Sequence, residues 1–131
     1  MKFSGIIFLF LFIFLVQGCS KNDEVLTNST DGNRYPNTPS NPSPSNGAVN
    51  VSGFITLTWT CSDPDAGDTV RYDVRYGMTN NPTDTLVKNA INPAADLGIA
   101  DTNRTIFWKV TAKDNHGLSK EGPVWSFTTG H

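Results

Sequence analysis

The chain has 131 residues, of which 17% are charged, and its formal net charge is −2. Once a targeting segment and a linker are set aside, this length suffices for one domain. Because no basic stripe is available to release counterions from nucleic acid, we expect no DNA or RNA partner.

The N-terminus carries one basic residue, Lys2, followed by an unbroken apolar run from Ile6 to Val16. This run is too short to cross a hydrocarbon core, which takes about 20 residues. It has the length of the apolar region of a secretory signal peptide. A short membrane-anchor helix is the alternative interpretation.

The residues that follow favour the signal peptide. Leu15-Val16-Gln17-Gly18-Cys19 resembles a bacterial lipobox, with an aliphatic residue three positions before the cysteine and a small residue directly before it. Gln17 is a less usual occupant of its position. The resemblance implies that residues 1–18 are removed by cleavage after Gly18 and that Cys19 carries diacylglycerol and an acylated amine. Two or more acyl chains hold a protein stably on a membrane.

Residues 19–38 are predicted to form a flexible stalk. They are mostly polar, so they cannot bury enough surface to offset the entropy lost on ordering. No aspartate follows Cys19 directly, and the short acidic cluster Asp23-Glu24 resembles the surface-export signal of Bacteroidetes lipoproteins. We therefore expect a lipid-anchored protein on the outer membrane, facing outward. An ordinary solvated linker is the alternative for this cluster.

Residues 39–129 are predicted to form one all-β domain, because short blocks of alternating apolar and polar residues are separated by Gly, Pro, Asn and Asp. Strands are predicted over Phe54–Cys61, Val70–Tyr76, Thr105–Lys113 and Val124–Thr129, with a weaker strand at Thr85–Lys88 and a poorly marked one within Ala90–Leu97. A two- or three-stranded sheet could not bury three tryptophans. The fold class is therefore an antiparallel β-sandwich of about seven strands, with most of Trp59, Tyr72, Tyr76, Trp108, Trp125 and Phe127 in its core.

Several phrases of this domain resemble the fibronectin type III family. They are Leu57-Thr58-Trp59, Tyr72-x-Val74-x-Tyr76, Trp108-x-Val110-x-Ala112 and Phe127-Thr128-Thr129, after a proline-rich approach to the first strand. The resemblance implies an immunoglobulin-like sandwich and names no ligand. Ile106 departs from the pattern, because the family often has a hydrogen-bonding tyrosine there.

Catalysis requires positioned acid, base or nucleophile groups, and no such motif is present. His116 lies in a turn, where a solvated loop residue is the expected role, so we predict no enzymatic activity and no cofactor. Cys19 is expected to carry lipid, which leaves Cys61 without a disulfide partner, as a small buried hydrophobe.

Three acidic residues of one loop, Asp63, Asp65 and Asp68, offer oxygen ligands that suit a weak Ca²⁺ site. An ordinary capped turn is the alternative for this loop, since no bidentate glutamate follows.

Phe54 and Phe107 fall on the outward parity of their strands, so together with His116 they are candidate contact residues. The first functional hypothesis is an interaction or spacer module that contacts a protein or polysaccharide through the loops Ser62–Thr69 and Asp114–Pro123, which should share one end of the sandwich. The alternative is a carbohydrate-binding accessory lipoprotein of a glycan uptake or degradation system. Exposed aromatics clustered on one face would favour the alternative, and scattered ones the first hypothesis.

Overall fold

A computed structural model describes residues 32–131. The predicted signal peptide, the cleavage point at Gly18, the lipid attachment at Cys19 and the stalk up to Asp31 lie outside the described residues, and each stays a prediction.

The described chain is folded into strands. They are β1 (Ser40–Ser43), β2 (Ala48–Val51), β3 (Phe54–Thr60), β4 (Arg71–Gly77), β5 (Asp84–Ala90), β6 (Ala94–Ile99), β7 (Thr105–Lys113), β8 (Ser119–Glu121) and β9 (Trp125–Thr129). Within residues 32–131 we find no helix long and apolar enough to cross a bilayer.

The strands form two sheets. The smaller sheet has the order β1-β3-β6, and the larger has the order β2-β9-β7-β4-β5 with β8 beside β7. Every strand pair is antiparallel except β2–β9, which is parallel. The number exceeds the expected seven because the first strand divides between the sheets as β1 and β2, and because the short β8 precedes the last strand.

The core lies between the two sheets and confirms the predicted β-sandwich. Alternate residues of β3 and β7 are buried along their length, as a strand with one buried face requires. The Trp59 ring of the smaller sheet lies 5.3 Å from the Tyr72 ring and 6.4 Å from the Trp108 ring, both of the larger sheet. The indoles therefore join the two sheets, as the alternation predicts.

Two strands run beyond their predicted bounds. β5 begins one residue before Thr85 and extends to Ala90, and β6 reaches Ile99, past the predicted range that ended at Leu97. Few of their side chains are buried, so their sequences carry little alternation. Backbone pairing with β4 and with β3 determines these strands.

Thr129, on the last strand, holds the loop that precedes β7 through its side chain. Its hydroxyl accepts from the Arg104 N–H at 2.8 Å and donates to the Asp101 carbonyl at 2.6 Å. Ile106 is 2% exposed and packs in the core.

Strand direction defines two ends of the sandwich. At one end the chain enters the domain through residues 33–38, next to the loops 61–70 and 114–118, and we call this the entry end. The far end holds the start of β3, the end of β6 and the loops 78–83 and 100–104. β3 runs from the far end to the entry end, a distance of about 20 Å at ~3.3 Å per residue.

Candidate functional site

The two loops expected to share one end of the sandwich do meet at the entry end. The Thr69 N–H donates to Asn115 Oδ1 at 3.1 Å, and His116 Nδ1 lies 3.1 Å from Asp68 Oδ2. These contacts join the loop after β3 to the loop after β7, which confirms the expected placement.

Asp114 organises the second of these loops. Asp114 is 9% exposed, and its carboxylate accepts from the N–H groups of His116 at 2.9 Å and Leu118 at 2.8 Å and from Asn33 Nδ2 at 2.8 Å. Burial by itself would raise the pKa of Asp114, but these hydrogen bonds outweigh it and hold the pKa below its usual value. A carboxylate held in this way is a structural cap.

The three aspartates of the proposed calcium loop are brought together. Carboxylate oxygens of Asp63, Asp65 and Asp68 lie within 4.8 Å of one another, and Asp63 Oδ1 accepts from the Asp65 N–H at 2.8 Å. Oxygens at this spacing suit a cation.

Side chains of the protein already pair with two of these aspartates. Arg34 contacts Asp65 through its backbone N–H at 2.6 Å and its Nε at 2.7 Å, and His116 contacts Asp68. The hydrogen bonds from the Arg34 backbone and then from its side chain lower the pKa of Asp65. The loop therefore has the capped-turn geometry that was the alternative, and calcium binding stays a prediction.

The residues directly before Pro39 form hydrogen bonds to the domain. The Asn37 N–H donates to the Ser62 carbonyl at 2.9 Å, Asn37 Nδ2 donates to Ser62 Oγ at 2.9 Å, and Cys61 Sγ donates to the Asn37 carbonyl at 3.1 Å. With Asn33 and Arg34, this segment is fastened to both entry-end loops. Sequence reasoning placed it in the stalk, because its polar residues give no local sign of partners so distant in the chain.

Cys61 is half-buried rather than fully buried, and it packs at the margin of the core. The pKa of the Cys61 thiol is raised, chiefly because the thiol is partly buried and also because the Asp63 carboxylate is close. A backbone hydrogen bond from Ser62 lowers this pKa but does not cancel the rise. A raised pKa keeps the thiol protonated and weakens it as a nucleophile.

The three candidate contact residues do not come together. Phe54 is 66% exposed on the outer face of the smaller sheet, and Phe107 is half-buried on the outer face of the larger sheet, in register with Gly77. His116 lies at the entry end, opposite to Phe54. The aromatics are therefore scattered over different faces.

A groove at the far end was missed by sequence reasoning. It has a volume of about 210 Å³ and is lined by Tyr76, Met78, Leu97, Ile99, Ala100 and Ile106, although more of the surface that faces the cavity is polar than apolar. Asp101 belongs to the same lining. If the side chains of β6 alternated strictly between the two faces of the sheet, Ile99 would lie on the same face as Leu97 and would be buried.

The reason is a bulge in β6. Phe54 pairs with Ile99, whereas Thr56 pairs with Asp96, so the smaller sheet accommodates an extra residue in β6 next to Gly98. Gly98 has a φ of 86°, which glycine adopts without steric cost. The bulge turns Ile99 outward, where it is 83% exposed.

No protein-family model matches the chain, and no curated protein matches it. Among solved structures, the domain is similar to part of the crystal structure of Streptomyces avermitilis α-L-rhamnosidase complexed with L-rhamnose. The match has a TM-score of 0.48 and 17% identity, and it covers 73% of this chain and 10% of the enzyme chain. Since the chain spans only a tenth of that enzyme, neither its activity nor its sugar is transferred here.

Proposed function

We propose that this chain is a non-catalytic, lipid-anchored protein of the outer cell envelope, whose sandwich acts as an interaction or spacer module at the cell surface. One observation carries the proposal. The segment 33–38 enters the domain at one end and is fastened there to both loops. An anchor at Cys19 would therefore reach the domain at this end, and the opposite end would be the one away from the tether.

The electrostatics of the carboxylates support a non-catalytic role. The carboxylates with shifted pKa values, Asp65, Asp73 and Asp114, are all shifted downward. A carboxylic acid that donates a proton at neutral pH has a pKa raised toward 7, which is the opposite of these shifts. Asp73 pairs with Lys113, Asp65 with Arg34, and Asp114 caps a loop, so each has a structural partner.

The scattered aromatics favour the interaction or spacer role over carbohydrate binding. A sugar-binding surface usually presents aromatic rings side by side, because the ring face stacks on the apolar face of a sugar. Phe54 and Phe107 lie on opposite outer faces of the sandwich, and Tyr76 is half-buried.

The anchor is tested by labelling cells of the native host with a palmitate analogue and isolating the full chain. We expect label on the wild-type chain and on Cys61→Ser, and none on Cys19→Ser. Cys61→Ser is the matched control, since it removes the chain's other thiol. An unlabelled wild-type chain, or label that persists in Cys19→Ser, would refute the lipid anchor.

Surface exposure is tested by treating intact cells with protease. We expect cleavage of the wild-type chain without lysis, and a periplasmic control protein left whole. Protection of the chain until the cells are broken would place it inside the envelope and refute the outward orientation.

A further inference from the structure

The far end carries apolar side chains that the domain itself leaves uncovered. Phe54 is 66% exposed, Ile99 83% and Met78 58%. Phe54 and Ile99 are cross-strand partners in the smaller sheet, and Ile99 and Met78 line the same groove. The three therefore form one continuous surface, which we call the far-end patch. Contiguous exposed apolar surface on a small domain is often an interaction site.

The groove gives this patch depth. Its lining comes from both sheets, with Leu97 and Ile99 of β6 in the smaller sheet and Tyr76 of β4 in the larger. Its floor reaches Ile106, which belongs to the core. A groove of about 210 Å³ between such walls has room for one large apolar side chain of a partner.

The charge around the patch is acidic. Asp101 lies in the groove lining, Asp84 is in register with Tyr76, and Asp96 lies two positions from Phe54 across the sheet, held by Thr56 Oγ1 at 2.8 Å. The groove lining contains no basic side chain, and the basic groups at the adjacent loop are Arg104 and His131, which lies beside Asn103. The patch thus has exposed apolar side chains at its centre, polar as well as apolar surface in its groove, and three carboxylates around it.

We propose that the far-end patch docks a segment of a protein partner that carries alternating apolar and basic side chains. One apolar side chain fills the groove, and basic side chains lie against Asp84, Asp96 and Asp101. The proposal rests on the proposed function in one respect, since the anchored entry end leaves the far end facing outward.

The same charges disfavour two other occupants. A second copy of this chain in a two-fold contact would bring the acidic rim against itself, because such an interface places the same patch on both subunits. A bilayer with anionic lipids attracts basic segments and repels an acidic rim. The basic, apolar partner is the occupant whose charge complements the patch.

The test measures binding of a fluorescein-labelled peptide of alternating leucine and lysine to the full chain. The chain is held in nanodiscs of neutral phosphatidylcholine, or in buffer if it is not lipidated, and empty nanodiscs are subtracted. A leucine–glutamate peptide and a serine–lysine peptide are the probes that lack the basic and the apolar component respectively. We expect the leucine–lysine peptide to bind about tenfold more tightly than either.

Variants locate the site. Ile99→Ser should weaken binding of the leucine–lysine peptide about tenfold, because a large apolar contact is lost. Asp101→Asn should weaken it about two- to fivefold at low salt and less at high salt. Val49→Ser is the matched control, since Val49 is 68% exposed, does not line the groove and lies on β2, three strands from β4 in the larger sheet, and we expect no change.

Four results would overturn the proposal. The first is equal binding of all three peptides, and the second is an equal loss of peptide binding in Val49→Ser and Ile99→Ser. The third is self-association of the free chain that Ile99→Ser abolishes. The fourth is binding of the unanchored Cys19→Ser chain to anionic vesicles, if Ile99→Ser abolishes that binding. Palmitate labelling is a separate readout, so an unlipidated chain that still binds the peptide through Ile99 refutes the anchor and keeps the docking site.

Discussion

The two ends of the sandwich differ in the side chains they present and in how many of these side chains have partners within the domain. At the entry end, polar and charged groups are joined across three chain segments, with Asp114, Asp65 and Asp68 each bonded to a residue of another segment. At the far end, Phe54, Met78 and Ile99 lie open beside a groove. Polar groups are costly to leave without partners, whereas exposed apolar groups keep the potential to be buried by a partner. The entry-end carboxylates are therefore satisfied within the domain, whereas the far end keeps the exposed apolar surface that we propose as a docking site.

The largest effect is expected from Asp114→Ala. The change leaves the His116 and Leu118 N–H groups without their acceptor and removes the hydrogen bond from Asn33 Nδ2, at a cost of about 2–3 kcal/mol in the free energy of unfolding. The measurement is urea denaturation followed by tryptophan fluorescence. Asp84→Ala, an exposed carboxylate at the far end, is the control and should change stability by no more than about 0.5 kcal/mol. Equal losses in the two variants would show that the ends do not differ in this way.

Acid should weaken the entry end through the same residue. The pKa of Asp114 lies below its usual value in the folded chain, so its contribution is fully present above the unfolded pKa of about 3.9 and is lost as the pH falls through the folded pKa. Asp114→Asn cannot ionise and should lack this contribution at every pH.

The difference in unfolding free energy between wild type and Asp114→Asn should therefore be large at neutral pH and shrink once the pH falls well below 4. Urea midpoints of both chains at neutral and acidic pH measure it. A difference that stays constant across this range would show that the ionised form of Asp114 is not favoured by folding.

The smallest effect is expected from calcium. Arg34 and His116 already lie against Asp65 and Asp68, so an added cation has to compete with them. We expect the melting temperature to differ little between millimolar Ca²⁺ and EDTA. A clear rise with Ca²⁺ that is lost in Asp63→Asn would instead establish the calcium site that the loop sequence suggests.

The core of the fold was predictable because its signal is local. Trp59 in β3 and Trp108 in β7 each belong to a series of apolar residues at every second position, so the sequence of each strand indicates which face is buried. The candidate sites were less predictable. The acidic loop was found, but Arg34 was not connected to it, and Phe54 was singled out without Ile99 as its neighbour.

The sequence by itself determined the buried face of the principal strands, the turns between them and, through the lipobox resemblance, the expectation of an anchor at Cys19. Tertiary structure decided the two ends. Asn33 meets Asp114 across 81 positions and Arg34 meets Asp65 across 31, and no local pattern encodes such pairs. A single bulge at Gly98 reverses the face of Ile99, because each strand position faces opposite to the next. Alternation determines a core, whereas register and long-range contacts determine what the finished surface presents.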